Sequence, residues 1–118
     1  MKNEEYYMQI ELVEWLKHEY PSALFTIAPS GMKLPISVAV KLKRMGYKAG
    51  TPDIMIFEPA RLFHGLFIEL KTAKGVVSKH QKDYLVALRQ RDYKAEVCWS
   101  VDEAKEMIKD YFNNLDRD

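Results

Sequence analysis

Two short segments of the chain combine acids and a lysine in a pattern that suits cleavage of a phosphodiester. Asp53 stands at the start of one apolar run, and Glu69 and Lys71 stand two residues apart at the end of another. Alternate residues of a strand point to the same face, so Glu69 and Lys71 project together. If the two runs are neighbouring strands, the two carboxylates meet and can hold a hard divalent cation, Mg²⁺ or Mn²⁺, beside an ammonium. We therefore predict a phosphodiesterase, and specifically a nuclease.

The charge of the substrate explains why such residues are needed. A phosphodiester is an anion that resists attack by water, and a carboxylate-bound metal both neutralises charge and makes hydroxide available. Lys71 would either orient or deprotonate the attacking water, which requires a lowered pKa, or stabilise the developing negative charge. The sequence leaves both roles open. Taken singly, Asp53 could be an acid in a turn, and Glu69 and Lys71 an exposed charge pair.

The net charge of +1 conceals a strong segregation of charge along the chain. Residues 21–99 carry thirteen lysines and arginines against six acids, and there is no acid between Tyr20 and Pro52. A basic face on a neutral protein suits a polyanion, and phosphate contacts position a duplex without reading its sequence. We expect structure-selective binding of DNA; the alternative is a solvated helix face. The candidate nucleic-acid-binding residues are Ser30, Gly31, Lys33, Lys41, Arg44, Lys48 and Lys74.

Length and composition are those of one domain spanning residues 1–118. No apolar run approaches the roughly 20 residues of a membrane span, so no membrane partner is expected. The first residues lack the pattern of a signal peptide, and the lone Cys98 fits a reducing cytoplasm. A catalytic cysteine is the alternative role for Cys98, although no histidine is an obvious partner.

The periodicity and turn signals predict eight elements in the order α-β-α-β-β-α-β-α. Helices are expected over 3–19, from Pro35 to Met45, from the cap at Ser78 to about residue 91, and after Ser100, with Glu103 in capping-box position. Strands are expected over 24–27, 53–58, 64–71 and 94–99. This order predicts an α/β fold with a mixed central sheet flanked by helices.

The first helix places polar residues on the side that should face the core. At about 100° per residue, Glu5 and Gln9 share a stripe with Leu12 and Leu16. A carboxylate near a buried face is unusual unless it has a partner. Glu5, with Gln9 in support, is therefore a possible contact to the metal or its water; otherwise Glu5 projects into solvent from the first turn.

Several motifs together resemble the VRR-NUC domain, the virus-type replication-repair nuclease branch of the PD-(D/E)XK superfamily. The resemblance covers nearly the whole chain and rests on a helix with a Glu and a Gln, Lys43-Arg44-Met45-Gly46, Gly50-Thr51-Pro52-Asp53, Phe67-Ile68-Glu69-Leu70-Lys71 and Ser78-Lys79-His80-Gln81. It implies a restriction-endonuclease-like α-β-β-β-α-β core with one extra helix before the Asp53 strand.

The resemblance also implies functional roles. Asp53, Glu69 and the main-chain carbonyl of Leu70 would be ligands of Mg²⁺ or Mn²⁺, and Lys71 and Gln81 would act in catalysis. Gly50 and Ser78 would support the site, although Gln81 and Ser78 also form a capping box that needs no catalytic role. Compact members of the family are associated with viruses and prophages, so a bacterial or prophage setting and a role in DNA repair or recombination are expected.

Assembly is the last expectation from the sequence. The first helix carries more apolar residues than one sheet contact needs, and excess apolar surface often marks a subunit interface: these are Tyr6, Tyr7, Met8, Ile10 and Trp15. Two-fold dimers are the commonest oligomers, and a four-way (Holliday) junction has similar symmetry. We predict a homodimer that nicks opposed strands of such junctions. The alternatives are a monomer, a non-catalytic nucleic-acid-binding domain with this fold, and a hydrolase of small phosphoesters.

Overall fold

The protein is an α/β structure whose elements follow the predicted order. The computed structural model describes residues 3–29 and 32–113. The elements are α1 (Asn3–Glu19), β1 (Phe25–Ile27), α2 (Ile36–Met45), β2 (Ile54–Ile56), β3 (Leu66–Leu70), α3 (Lys79–Arg89), β4 (Lys94–Cys98) and α4 (Val101–Phe112). All eight predicted elements are confirmed, and each strand is one to three residues shorter than expected.

The four strands form one mixed sheet in the order β1-β2-β3-β4. The pairs β1–β2 and β2–β3 are antiparallel, and the pair β3–β4 is parallel, with α3 as the connection. Ile54 lies opposite Ile68 across the β2–β3 ladder. Continuing this antiparallel register by one residue sets Asp53 opposite Glu69. The predicted neighbourhood of the two acidic motifs is therefore confirmed.

The two faces of the sheet are covered unequally. On one face α1 and α4 bury the larger core, which contains Leu12, Leu16, Ile54, Ile56, Leu66, Ile68, Leu70 and Ile108. On the other face α3 covers a smaller cluster of Phe67, Leu85, Leu88 and Ala95. Because side chains alternate along a strand, Asp53 and Glu69 lie on the α3 face. They sit at the end of the sheet where β2 begins and β3 ends.

Local signals in the sequence account for the helix boundaries. Gly46 ends α2 with a φ of 113°, a conformation that glycine adopts without strain. Ser78 caps α3 in a complete capping box with Gln81. The cap of α4 differs from the prediction: Ser100 accepts from the Glu103 N–H, but the Glu103 carboxylate accepts from the N–H of Trp99 instead of Ser100. None of the described helices is long and apolar enough to cross a membrane.

The apolar surplus predicted for α1 is only partly available. Met8 and Trp15 pack against the larger core, because α1 contacts both the sheet and α4. Tyr6 and Tyr7 are exposed. The prediction that all five apolar residues outside the buried stripe are spare was therefore wrong for Met8 and Trp15.

The largest unpartnered element is α2. It contains no buried residue, and Ile36 and Met45 are 84% and 81% exposed. The helix makes no substantial packing contact with any other described helix or strand. The extra helix expected before the Asp53 strand is thus present, but it stands apart from both cores.

Candidate active site

Asp53 is fixed by the backbone of the strand beside it. Its side chain is 6% exposed, and its Oδ2 accepts a hydrogen bond of 2.8 Å from the main-chain N–H of Leu70. The Asp53 carbonyl accepts another from the N–H of Ala28. Thr51, one of the buried residues leading into this position, donates its hydroxyl to the Lys48 carbonyl at 2.7 Å. The Asp53 carboxylate is therefore held at the end of the β2–β3 pair, where β2 begins and β3 ends.

Glu69 is more deeply buried and incompletely paired. Its side chain is 3% exposed, and its Oε2 accepts a hydrogen bond of 2.8 Å from Gln81 Nε2. Its second oxygen, Oε1, is buried without a hydrogen-bond partner among the described residues. Burial and the charge of Asp53 together raise the pKa of Glu69 to about 8, although the Lys71 ammonium opposes them. A buried carboxylate in this state needs either a proton or a cation.

Lys71 completes the acidic pair with a positive charge. Its Nζ lies 3.7 Å from Glu69 Oε2, and its side chain is 11% exposed. Its N–H donates to the Cys98 carbonyl of β4, which continues the parallel ladder past the end of β3. The alternative of an exposed Glu69–Lys71 pair was wrong. A Cβ at Gly75 would lie 3.2 Å from Lys71 Cδ, so the turn at residues 72–75 packs tightly against this side chain.

Gln81 holds Glu69 and caps α3 at the same time. Its Oε1 accepts from the Ser78 N–H at 2.9 Å, which leaves its Nε2 to donate to Glu69. The capping and the active-site interpretations of Gln81 therefore apply together, and the contact is to a carboxylate ligand candidate. A Cβ at Gly50 would lie 2.4 Å from the His80 carbonyl oxygen. Gly50 thus permits the close approach that brings the start of α3 to the site.

Glu5 and Gln9 lie on the other side of Asp53. Both are half-buried and line a cleft of about 490 Å³ that also reaches Asp53. The charge of Glu5 contributes to the raised pKa of Glu69. The stripe predicted on the first helix is therefore confirmed, since Leu12 and Leu16 are fully buried beside these polar residues. Whether Glu5 contacts a metal stays a prediction.

The residues at the end of the sheet fit a divalent cation. Asp53 and Glu69 are two buried carboxylates facing each other across one strand pair, and Glu69 Oε1 has an unused lone pair. Mg²⁺ usually takes one or two carboxylates together with waters, so two are sufficient. Within residues 3–29 and 32–113, no set of three or more His, Cys, Asp or Glu side chains is arranged as a fuller ligand cage. The geometry favours a partly hydrated ion over one enclosed by protein.

The predicted nucleic-acid-binding residues occupy two places. Lys48 and Lys74 are exposed and lie close in sequence to Gly50 and Lys71, on the chain segments next to the site. Lys33, Lys41 and Arg44 are exposed on α2 and the segment before it. The predicted residues Ser30 and Gly31 lie outside the described part of the chain.

Some contributions to the site were not foreseen. No role was predicted for Thr51, which hydrogen-bonds within the turn before Asp53, or for Gly75, which packs against Lys71. The glycine four residues after Lys71 is a turn signal in the sequence and could have predicted this tight turn. Burial raises the pKa of Cys98 to about 12, which keeps the thiol protonated and removes the alternative of a catalytic cysteine.

Comparisons with known proteins agree with this architecture. The family model described as the VRR-NUC domain matches residues 3–102. A solved structure described as a VRR_NUC domain protein is 28% identical, with a TM-score of 0.78, and the alignment covers 93% of this chain and 88% of that one. A comparison with curated proteins gave no match. Because the family model covers most of its length, the chain belongs to the VRR-NUC domain family and so to a family of nucleases.

Proposed function

We propose that the protein is a Mg²⁺- or Mn²⁺-dependent, structure-selective DNA endonuclease whose site is built on Asp53, Glu69 and Lys71. The observation that carries this proposal is the buried carboxylate pair at the end of the β2–β3 ladder, with Glu69 Oε1 lacking a hydrogen-bond partner among the described residues. Two buried carboxylates destabilise a fold unless a proton or a cation neutralises the pair. Buried acids with strongly raised pKa values are found mainly at functional sites.

Each residue of the site has a distinct task in this proposal. Asp53 and Glu69 would hold the metal, with the main-chain carbonyl of Leu70 as a further ligand by family resemblance. When bound, a divalent cation supplies charge neutralisation at the phosphate and lowers the pKa of a coordinated water. Gln81 keeps Glu69 oriented, because it donates to Oε2 and leaves Oε1 without a hydrogen bond. Gln81 therefore acts as a positioning residue.

Lys71 is placed to act on the charge that develops during cleavage. Its ammonium is largely buried and lies 3.7 Å from the Glu69 carboxylate. This ion pair keeps the side chain at the site, where its charge would stabilise the transition state. A preorganised charge of this kind contributes about 10²- to 10³-fold to a rate.

The proposed substrate is branched DNA, and the proposed assembly is a homodimer that nicks opposed strands of four-way junctions. The exposed lysines and arginine at positions 33, 41, 44, 48 and 74 support phosphate contacts, and none of them belongs to a base-reading motif. Binding should therefore weaken steeply with salt, since each neutralised phosphate releases counterions. A bacterial or prophage setting in the cytoplasm remains part of the proposal.

A nicking assay tests the function. Linear, flapped and four-way DNA of matched sequence are incubated with Mg²⁺ or Mn²⁺ and either the wild-type protein or Asp53→Ala. We expect cleavage of branched DNA that requires the metal and is lost in the variant. Cleavage that survives Asp53→Ala would contradict the assigned site. Binding of all three substrates without cleavage of any would favour a non-catalytic DNA-binding domain.

A further inference from the structure

Helix α2 presents an unusually wide apolar surface that its own chain leaves uncovered. At about 100° per residue, its apolar positions span an arc of roughly 220°, twice the width that one packing face requires. The residues of this arc are Ile36, Val38, Ala39, Val40, Leu42 and Met45. None of them is buried. A helix of ten residues is marginal alone in water, so this arc indicates a packing partner.

The basic residues of α2 lie in two places, outside and inside the apolar arc. Lys41 and Arg44, with Ser37, form a narrow stripe outside the apolar arc, whereas Lys43 falls within it. In the described part of the chain, Lys43 forms no ion pair with any acid. A partner that covers the arc must therefore provide an acid opposite Lys43, while the stripe of Lys41 and Arg44 stays free for DNA.

The cleft that reaches Asp53 is a groove on the same chain that can accept such a helix. It runs between α1 and β1, which is the edge strand of the sheet, and its apolar lining includes Tyr6, Ile10, Val13, Ile27 and Met32. Its α1 wall extends from Glu5 to Lys17, about 18 Å at 1.5 Å per residue. By the same rise, α2 is about 13.5 Å long, so the helix fits within the length of the groove.

The groove also supplies the required charge. Glu14 lines it, is exposed, and forms no ion pair within residues 3–29 and 32–113. The other acids of the lining, Glu5 and Asp53, lie toward the metal-site end, and Lys17 is the base of the lining. A lysine and a glutamate that lack ion-pair partners among the described residues thus occupy complementary apolar surfaces. This complementarity selects a second copy of the chain over an unrelated partner.

We propose that α2 of one chain packs into the α1–β1 groove of a second copy, with Lys43 beside Glu14. Both surfaces are present on every chain, and in the proposed dimer a two-fold axis makes the contact twice, as in an isologous interface. The inference deepens the dimer of the proposed function and rests on that part of it alone, because the contact forms without DNA or metal. It moves the main contact from the apolar surplus of α1 to the arc of α2.

A mixing experiment with two charge reversals tests the contact. In a dimer of Lys43→Glu, both proposed contacts place two acids together. In a dimer of Glu14→Lys, both place two bases together. A dimer formed by one chain of each variant has opposite charges in both contacts. We expect the wild type to be dimeric by light scattering at micromolar concentration, each variant alone to dissociate at least tenfold more readily, and the equimolar mixture to recover the wild-type mass.

A third charge reversal distinguishes this contact from a general effect of surface charge. Lys82→Glu, on an exposed position of α3, should leave the dimer unchanged. A wild-type mass of 13.8 kDa, single variants that dimerise normally, or a mixture that stays dissociated would each overturn the proposal. Nuclease activity is scored separately on the same samples. A monomer that cuts DNA would refute the interface only, and a dimer that cuts nothing would refute the nuclease only.

Cysteine crosslinking gives an independent measurement that does not depend on charge. Chains carrying Val40→Cys on α2 or Ile10→Cys in the groove are mixed under oxidising conditions; the native Cys98 is fully buried. We expect a disulfide-linked heterodimer from this mixture and none when Val86→Cys on α3 replaces Val40→Cys. A Val40→Cys mixture that gives no more heterodimer than the Val86→Cys control would overturn the proposal.

Discussion

The end of the sheet that carries Asp53 and Glu69 and the helix α2 are built in opposite ways. The site is closed by its own chain: the Leu70 N–H holds Asp53, Gln81 holds Glu69, and Gly50 lets the start of α3 approach within contact distance. Helix α2 has no buried residue and packs against no other described element to any substantial extent. The comparison teaches that the geometry of the candidate site is fixed within one chain, whereas the proposed contacts with DNA and with a second copy are left to an exposed element.

The largest effect should come from removing the charge of Lys71. We expect Lys71→Met to lower the single-turnover cleavage rate about 100- to 1000-fold, the usual loss when one preorganised stabilising group is removed. Lys71→Arg separates the two roles of the lysine, because arginine stays protonated. Substantial retained activity in Lys71→Arg would identify an electrostatic role, and full loss would favour a general base. Lys109→Met on α4 is the matched control and should cut normally.

Two glycines allow the site and α2 to be compared directly. Gly46 and Gly50 both have positive φ, but a Cβ at Gly46 meets nothing within 4 Å, whereas one at Gly50 meets the His80 carbonyl at 2.4 Å. Gly46→Ala should cost about 1 kcal/mol of unfolding free energy, from backbone strain alone. Gly50→Ala should cost more and should also reduce cleavage, because α3 must shift and carry Gln81 away from Glu69. Equal losses in urea unfolding would show that the close approach is unimportant.

Gln81 and Ser78 form the next comparison, between positioning and capping. Ser78→Ala removes the helix cap and should cost about 1 kcal/mol of stability, with little change in kcat. Gln81→Ala removes the cap partner and the hydrogen bond to Glu69 together. We expect the kcat of Gln81→Ala to be about tenfold lower than that of Ser78→Ala, equivalent to about 1.4 kcal/mol. If the two variants have equal kcat values, the Gln81–Glu69 contact does not position the carboxylate.

The stability of the metal-free protein should depend on pH through Glu69. In the folded, metal-free protein the pKa of Glu69 is about 8, compared with an ordinary value of 4.5. Between these pH values the folded state binds more protons than the unfolded chain, so the contribution of Glu69 to stability falls as pH rises. Urea unfolding in chelator should show this fall in the wild type and a flatter profile in Glu69→Gln. Matching profiles would contradict the raised pKa.

The sequence predicted the fold and the approach of Asp53, Glu69 and Lys71 to one another because local patterns determine both. Apolar runs bounded by Gly and Pro set the strands, the caps at Ser78 and Ser100 set the helix starts, and alternation put Glu69 and Lys71 on one face. Contacts between distant segments were beyond such patterns. The Gly50–His80 approach and the packing of Gly75 on Lys71 depend on tertiary geometry.

The burial of the apolar surfaces of α1 and α2 was harder to predict, because it also depends on contacts between distant segments. Helix α1 is apolar on more than one side because it lies between the sheet and α4, so Trp15 is partly buried and does not form a spare surface. Helix α2 has a clear apolar pattern that also predicts burial, yet its own chain does not cover it. Periodicity shows that a helix face needs a partner, but it does not tell which element or which copy of the chain provides one.

Binding of Mn²⁺ to the carboxylate pair is the most direct test of the site. The metal is titrated at pH 8 into the wild type and into the double variant Asp53→Asn/Glu69→Gln, and free Mn²⁺ is measured by electron paramagnetic resonance. Asp102→Asn/Glu106→Gln, on exposed positions of α4, controls for general loss of negative charge. The account predicts that the wild type and this control bind Mn²⁺ and that the Asp53/Glu69 double variant does not. Unchanged affinity in that double variant would contradict the assignment of the site.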